Sequence, residues 1–312
     1  MSDDRAAVRY GAMFRRERPP EQLTGFAREA EALGLDEIWI VEDCFWAGGL
    51  TAVSAALGAT ERVHVGMGIV PAVARNAAIT AMELSGIARM FPGRFVAGFG
   101  HGVAAWMRQI GALPTSQLAA LEETIDAVRR LLDGESITVS GRHVALDDVR
   151  LVFPPAQRPP IVVGVTGPKG IDLAGRVAEG LLLPEGSSAP YVGAALARFG
   201  RPAACVVYVL FAIDDDPEVA RSMVASSVEE FAPGDRDERL AKLGIDEAVV
   251  AGERVDRYAV AGTPADCARA VDALVASGAT SVVVVPRADD PSAQDAQIAR
   301  FVREVVPLVG AR

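Results

Sequence analysis

Short apolar runs alternate with longer amphipathic ones along most of the chain, the pattern of buried parallel strands joined by helices. It is clearest from Val63 to Gly102: VHVGMGIV, a polar PAVARN, a segment with Ile79, Met82, Ile87 and Met90 on one helical face, and RFVAGFGHG. This predicts a strand, a helix and a second buried strand, one βαβ unit. Both strands finish in small residues followed by polar ones, so the backbone there can approach a flat ligand closely. Ligands of parallel α/β folds bind at that edge.

Upstream, Val8 to Phe14 reads as a strand, and Pro19-Pro20 opens a helix with Leu23, Phe26, Ala27, Ala30 and Leu33 on one face, stopped by Gly34. Leu35 to Val41 reads as the second strand and runs directly into Glu42 and Asp43; a helix over Thr51 to Ala59 leads into the βαβ unit. Downstream, Leu118, Leu121, Ile125, Val128 and Leu132 recur at helical spacing from Ser116, and Ser136 to Leu146 alternates around Ser140-Gly141 as a small hairpin. Strands Ile161 to Val165, Leu181 to Leu183 and Ala203 to Ile213 follow, with helices over Ile171 to Ala178 and Pro190 to Phe199 between them. Charged, weakly amphipathic segments from Asp214 to Asp256 break the alternation. Helix Pro264 to Ser277, strand Ser281 to Val285 and helix Gln294 to Val306 restore it.

Eight strands alternating with eight principal helices, with no Pro-, Gly- or Ser-rich linker, predict one domain over residues 1–312: a single (β/α)8 TIM barrel of the α/β class. Its insertions fall before strand five and after strand seven. A doubly wound sheet ranks second, because neither Gly66-Met67-Gly68 nor Gly98-Phe99-Gly100 has the third glycine of a dinucleotide fingerprint. Asp214 to Asp256 follows a strand and is expected at the C-terminal mouth as a lid; the hairpin follows a helix and is expected at the opposite end.

Composition narrows the function. A hydrophobic fraction of 50% supplies a full core, and a formal net charge of -10 disfavours nucleic acid and anionic membrane surfaces, which need clustered cations. No apolar run is long enough to span a bilayer and MSDDRAAVRY lacks a signal-peptide pattern, so a cytoplasmic protein acting on a small-molecule substrate is expected. Cys44, Cys205 and Cys267 are far apart, with neither disulfide nor zinc spacing; no metal is expected.

The fifth strand enters Thr166-Gly167-Pro168-Lys169-Gly170 and then a helix, an arrangement that presents backbone amides and a positive helix end to a phosphate. Lysines occur only at Lys169 and Lys242, so a lysine beside these glycines favours phosphate over a plain strand–helix turn. Asp43 either caps a turn or does chemistry at the mouth. His101, between Gly100 and Gly102, either lines the site, where an imidazole suits proton transfer near neutrality, or is a hydrogen-bonded loop histidine. Trp46 and Trp106 wall a pocket or fill core, with core favoured for each alone; His64 and His143 read as structural.

WIVEDCFW after strand two, GMGIVPAVARN after strand three, PGRFVAGFGHG at strand four and VGVTGPKG at strand five together resemble the bacterial luciferase-like superfamily. The resemblance is to its branch using the deazaflavin coenzyme F420, which includes methylenetetrahydromethanopterin reductase and a glucose-6-phosphate dehydrogenase. It implies an oxidoreductase passing a hydride between the deazaflavin and an organic substrate. An FMN-dependent monooxygenase and a non-catalytic flavin-binding relative are the alternatives. The resemblance places Glu42 near the edge of the ring, Gly68 and Ile69 behind it on a strand-three bulge with a cis peptide, and Thr166 to Gly170 at the side-chain phosphate. Asp43 stands where the branch carries histidine, and Val103 where the sugar-phosphate dehydrogenase carries glutamate. The substrate half of the family's site thus does not carry over, and Asp43 and His101, from their own place at the mouth, are the candidate catalytic groups that give or take the accompanying proton. The resemblance also implies a homodimer, formed through helices near strands two and three.

Overall fold

The computed structural model describes residues 8–234, 237–245 and 253–310. In chain order the first half comprises β1 (Arg9–Phe14), α1 (Leu23–Leu33), β2 (Glu37–Ile40), α2 (Gly49–Gly58), β3 (His64–Pro71), α3 (Ala77–Met90), β4 (Phe95–Gly100), α4 (Ala104–Gln109), α5 (Gln117–Leu132), β5 (Ile137–Ser140) and β6 (Ala145–Val149). The second comprises β7 (Ile161–Gly164), α6 (Pro168–Val177), β8 (Gly180–Leu183), α7 (Ala189–Phe199), β9 (Ala204–Ile213), α8 (Pro217–Phe231), α9 (Glu238–Lys242), α10 (Arg254–Tyr258), β10 (Ala259–Gly262), α11 (Pro264–Ala276), β11 (Ser281–Pro286) and α12 (Pro291–Arg300).

The eight apolar runs expected to be strands pair in parallel in the order β1-β2-β3-β4-β7-β8-β9-β11, and the β1–β11 pairing closes the barrel. β4, β8 and β11 are buried along their whole length, as strands between a barrel interior and a layer of helices must be. Local chemistry sets the helix ends. Gly34 takes a left-handed φ of 93° and stops α1, the Asn76 side chain accepts from the Ala78 amide to start α3, and Thr263 with Asp266 forms a capping box on α11.

Inside the barrel Met13, Trp39, Val96, Val162, Leu182 and Tyr208 belong to a separate packed core. The Trp39 indole lies against Gly66, where a Cβ would come within 2.4 Å of it, and the Tyr208 ring meets the indole edge-on at 5.7 Å. At the lower end Glu37 is buried but accepts from Trp39 Nε1 at 2.8 Å, Ser281 Oγ at 2.5 Å and Arg9 at 3.2 Å.

Four features depart from expectation. A ninth parallel strand, β10, pairs with Leu210–Ile213 beyond the end of β8; AVAG is too short and small to show a strand period. The face of α3 drawn through Ile79, Met82, Ile87 and Met90 splits: Ile87 is buried, whereas the other three are 48%, 55% and 61% exposed. Small residues, Ala77, Ala81, Ser85 and Ala88, carry much of the true buried face. α6 begins at Pro168 rather than Ile171, and α4 carries Trp106 without any sequence periodicity to announce it.

The insertion after β9 reaches the mouth as expected. α8 packs on β9 and β10 through Ala220, Val224 and Val228, and its last residues, Glu230 and Phe231, line the cavity there. Residues 235–236 and 246–252 of the insertion lie outside the described residues. The β5–β6 hairpin runs to Val149, lies against α5, where Glu123 accepts from the amides of His143 and Val144, and contributes nothing to the cavity wall. Among the described residues no helix is long and apolar enough to cross a membrane.

Candidate active site

The C-terminal ends of the barrel strands surround a cavity of about 770 Å³, and Glu42, Asp43, Gly68, Ile69, His101 and Thr166, Gly167, Pro168, Lys169 and Gly170 all line it. On β3 the register jumps between Met67 and Val70, and the Gly68–Ile69 peptide is cis. A second non-prolyl cis peptide, Cys44–Phe45, follows β2 and has no marker in the sequence. The glycines of β4, with Gly164 of β7, serve this bulge. A Cβ on Gly98 would lie 2.2 Å from the Met67 carbonyl, and one on Gly100 or Gly164 would lie 3.1 or 2.8 Å from the Ile69 side chain. They admit the bulge and Ile69, and the bulge in turn meets the cavity.

Across the cavity, Pro168, Lys169 and Gly170 form the first turn of α6, whose N-cap, Gly167, supplies no side-chain acceptor. The first amides of the helix are therefore left to face outward with the positive end of its dipole. A Cβ on Gly167 would meet nothing within 4 Å, so the turn is open. Tyr191 Oη fixes it from behind, donating to the Thr166 carbonyl at 2.8 Å. Among the described residues no side chain pairs with the Lys169 ammonium, which lines the cavity. These amides, this ammonium and the bulge fit a flat ring carrying a phosphorylated side chain.

Glu42 lines the cavity with its carboxylate already engaged. Both terminal nitrogens of Arg75 grip it, and it accepts from the Gly49 amide at 3.0 Å. Asp43 accepts from Arg16 Nη1 at 2.6 Å, and Arg16 also meets Glu17 and lies over the Trp46 ring at 5.8 Å. Trp46 is thus 55% exposed and not core, while Trp106 lines the cavity. His101 is half-buried; burial pushes its pKa below the ordinary histidine value, opposed by a hydrogen bond with the Gln117 backbone. Its Nδ1 is buried without a partner. Burial thus favours the neutral imidazole, whose unpartnered Nδ1 can accept a hydrogen bond.

Five residues of the site escape sequence reasoning. Arg16 and Arg75 sit in turns and act through carboxylates that sequence does show. Tyr208 lies within an apolar run and looks like core; its hydroxyl is buried without a partner, and a Cβ on Gly68 would come within 2.0 Å of it. Burial, with Glu185, Glu37 and Asp43 nearby, pushes that hydroxyl well above the ordinary phenol value, so it stays a donor. Glu185 and Arg287 stand just past the ends of β8 and β11, the place that Asp43 holds relative to β2, which was the one available signal.

Comparison with known proteins matches this architecture. The chain is 27% identical over 303 residues to 5,10-methylenetetrahydromethanopterin reductase of Methanolobus tindarius, covering 88% of this chain and 93% of that one. It is 26% identical over 320 residues to F420-dependent glucose-6-phosphate dehydrogenase of Kineococcus radiotolerans, covering 93% of each. The solved structure of the coenzyme F420-dependent tetrahydromethanopterin reductase of Methanopyrus kandleri superposes with a TM-score of 0.82 at 22% identity, covering 97% of this chain and 99% of that one. The family model described as luciferase-like monooxygenase matches residues 5–281, and the chain belongs to that family.

Proposed function

We propose that this protein is an F420-dependent oxidoreductase that transfers a hydride between the deazaflavin and an organic substrate. The observation that carries it is one cavity with the β3 bulge on one side and the open, lysine-bearing first turn of α6 on the other. The glucose-6-phosphate dehydrogenases named F420-dependent, aligned over more than nine-tenths of the chain, support the choice of coenzyme. When bound, F420 supplies a carbon centre that gives or takes a hydride, leaving the protein to place the partners and manage the proton.

Gly68 and Ile69 back the ring; the amides of Lys169 and Gly170 and the Lys169 ammonium hold the phosphate. Glu42 shapes the wall beside the ring through its grip on Arg75. Asp43, ion-paired with Arg16, and the neutral His101 are proton acceptors on the cavity wall. Titrating the purified chain with F420 and with FMN, followed by fluorescence, tests the assignment: tight F420 binding is expected, and tight binding of FMN alone would overturn it.

A homodimer belongs to the same proposal. Ile79, Met82 and Met90 on α3 are exposed, as is Phe153, whose carbonyl accepts from Ser85 Oγ of that helix, giving an apolar face of the kind that a second copy covers.

A further inference from the structure

Glu37 and Glu42 show how this chain treats a carboxylate it takes out of water: each accepts several hydrogen bonds. Glu185 does not. Its side chain is 12% exposed and faces the cavity, yet among the described residues no other residue donates a hydrogen bond to either carboxyl oxygen. The nearest cation, Arg287 Nη2, stands 3.8 Å from Oε1, beyond hydrogen-bonding distance, and the Arg287 guanidinium lies over the Phe231 ring at 5.3 Å. An ionised carboxylate with only its own amide as donor and a cation no nearer than 3.8 Å is disfavoured in such a place, which favours the protonated carboxyl.

Two further polar groups on the same wall are unsatisfied, Tyr208 Oη and Arg287 Nε, both buried without partners. β8, β9 and β11, which lead to these three residues, are consecutive in the barrel. Arg18 Nε, Gln22 Oε1, Glu83 Oε2 and His143 Nε2 are also buried without partners but lie apart from the cavity, whereas Tyr208 and Arg287 converge with Glu185 on its wall, where a ligand's polar atoms can meet them.

Resting on the F420 reading above, we propose that Glu185 is the proton donor of the reaction, giving its proton to the substrate atom that takes up the electron pair as the hydride arrives. In the reducing direction a hydride from the reduced deazaflavin forms the new C–H bond, the π pair of the double bond it attacks moves to the other atom of that bond, and that atom takes the proton from the Glu185 carboxyl. The coenzyme is oxidised by two electrons and the substrate reduced by two. Glu185 is left as a carboxylate beside Arg287, to be reprotonated from water through the mouth. Tyr208 Oη is a second donor to the same atom. Asp43 and His101 are both acceptors, so neither duplicates this part.

The groups facing Glu185 are Arg287 after β11, Arg239 of α9, whose Nη1 donates to the Glu185 carbonyl at 3.0 Å, Asp43 after β2 and Tyr208 of β9. Arg15, Glu17 and Glu230 surround Arg287 in turn. Burial pushes the Glu185 carboxyl above the ordinary glutamate value; its own amide, Arg287 and Arg239 oppose this and Asp43 adds to it.

The test is thermal unfolding of the full chain and of Glu185→Gln across pH, without coenzyme. A folded carboxyl that holds its proton to higher pH than the unfolded one makes the folded state the richer in protons between the two values, so stability falls as pH rises through that window. Gln removes this loss. The variant's stability relative to wild type is therefore expected to grow as pH rises from the acid side of the glutamate range. A variant that is instead less stable at neutral pH, with the gap closing in acid, would make Glu185 an ionised partner of Arg287 and overturn the proposal. With reduced F420 and those members of a carbonyl panel that wild type reduces, Glu185→Gln is expected to lose about 10²-fold or more in kcat, keep its F420 affinity, and be partly rescued by Glu185→Asp. An unchanged kcat would also overturn it. Failure of wild type to bind F420 counts against the coenzyme reading instead, and the pH comparison still decides the state of the carboxyl.

Discussion

Arg75→Ala should destabilise the protein well beyond what a residue in a turn ordinarily does. Glu42 has a side chain only 9% exposed and depends on Arg75 for most of its hydrogen bonds; without it the Gly49 amide remains as its partner. Breaking a buried ion pair from one side costs about 3–5 kcal/mol, because a charge is left buried and unpaired. Arg75 is 27% exposed, so water entering its place offsets part of that, and a loss of about 2–3 kcal/mol is expected. At about 1.5 °C per kcal/mol for a chain of this size, the melting temperature should fall by about 3–5 °C. Glu42→Gln keeps the shape, loses the charge-assisted bonds and should cost about 1.5–3 kcal/mol. The double variant should cost less than the sum by about 1–3 kcal/mol, since the two side chains act as one unit. Urea unfolding with unchanged m-values measures all three, and F420 affinity measured on the same variants should fall together for both single changes. A cost for Arg75→Ala below about 0.5 kcal/mol, or strict additivity, would refute the bracing and free the Glu42 carboxylate to meet the coenzyme directly.

Lys169→Gln should weaken F420 binding by about 10- to 100-fold, the worth of one charge-assisted phosphate contact, while leaving the unfolding midpoint unchanged; calorimetric titration and a melt check the two halves. Asp43→Asn and His101→Ala should each lower turnover by about 10²-fold or more with F420 affinity nearly intact, and unchanged rates would return both to structural roles. Ile79→Arg with Met82→Arg should convert a dimer at micromolar concentration into a monomer in sedimentation, and a monomeric wild type would remove the α3 face as an interface.

The barrel was legible because parallel strands buried on both faces write themselves as short, nearly continuous apolar runs, and eight such runs alternate with helices in this chain. The boundaries were less so. Small residues explain most of the misses: Ala77, Ala81, Ser85 and Ala88 face the core of α3 without raising its periodicity, while Ile79 and Met82, which do raise it, point outward. The same holds for β10, where AVAG pairs with β9 through its backbone alone, leaving no alternation in its side chains to read. The Gly-Pro pair before Lys169 marks a turn in sequence, but proline is also at home in the first turn of a helix, and that is where Pro168 lies.

For the site, sequence discloses positions and withholds partners. Strand ends point to the mouth, so Asp43, His101 and the turn at Thr166–Gly170 could be named from where apolar runs stop. Whether such a residue is free to act depends on what reaches it from elsewhere in the chain, and those contacts join residues with no common spacing: Arg75 to Glu42, Arg16 to Asp43, the Gln117 backbone to His101. Two acidic side chains adjacent in sequence thus diverge in use, Glu42 bound into the wall and Asp43 held at the cavity by a guanidinium that itself lines it. Glu185 makes the converse point. It follows its strand as Asp43 follows β2, with nothing in the sequence to distinguish it, and only the absence of hydrogen-bond donors from other residues around its carboxyl, among the described residues, sets it apart from the other buried acids. Under the proposed role of Glu185, the chemistry of this cavity turns less on which acids stand at the mouth than on which of them other residues leave without hydrogen-bond donors.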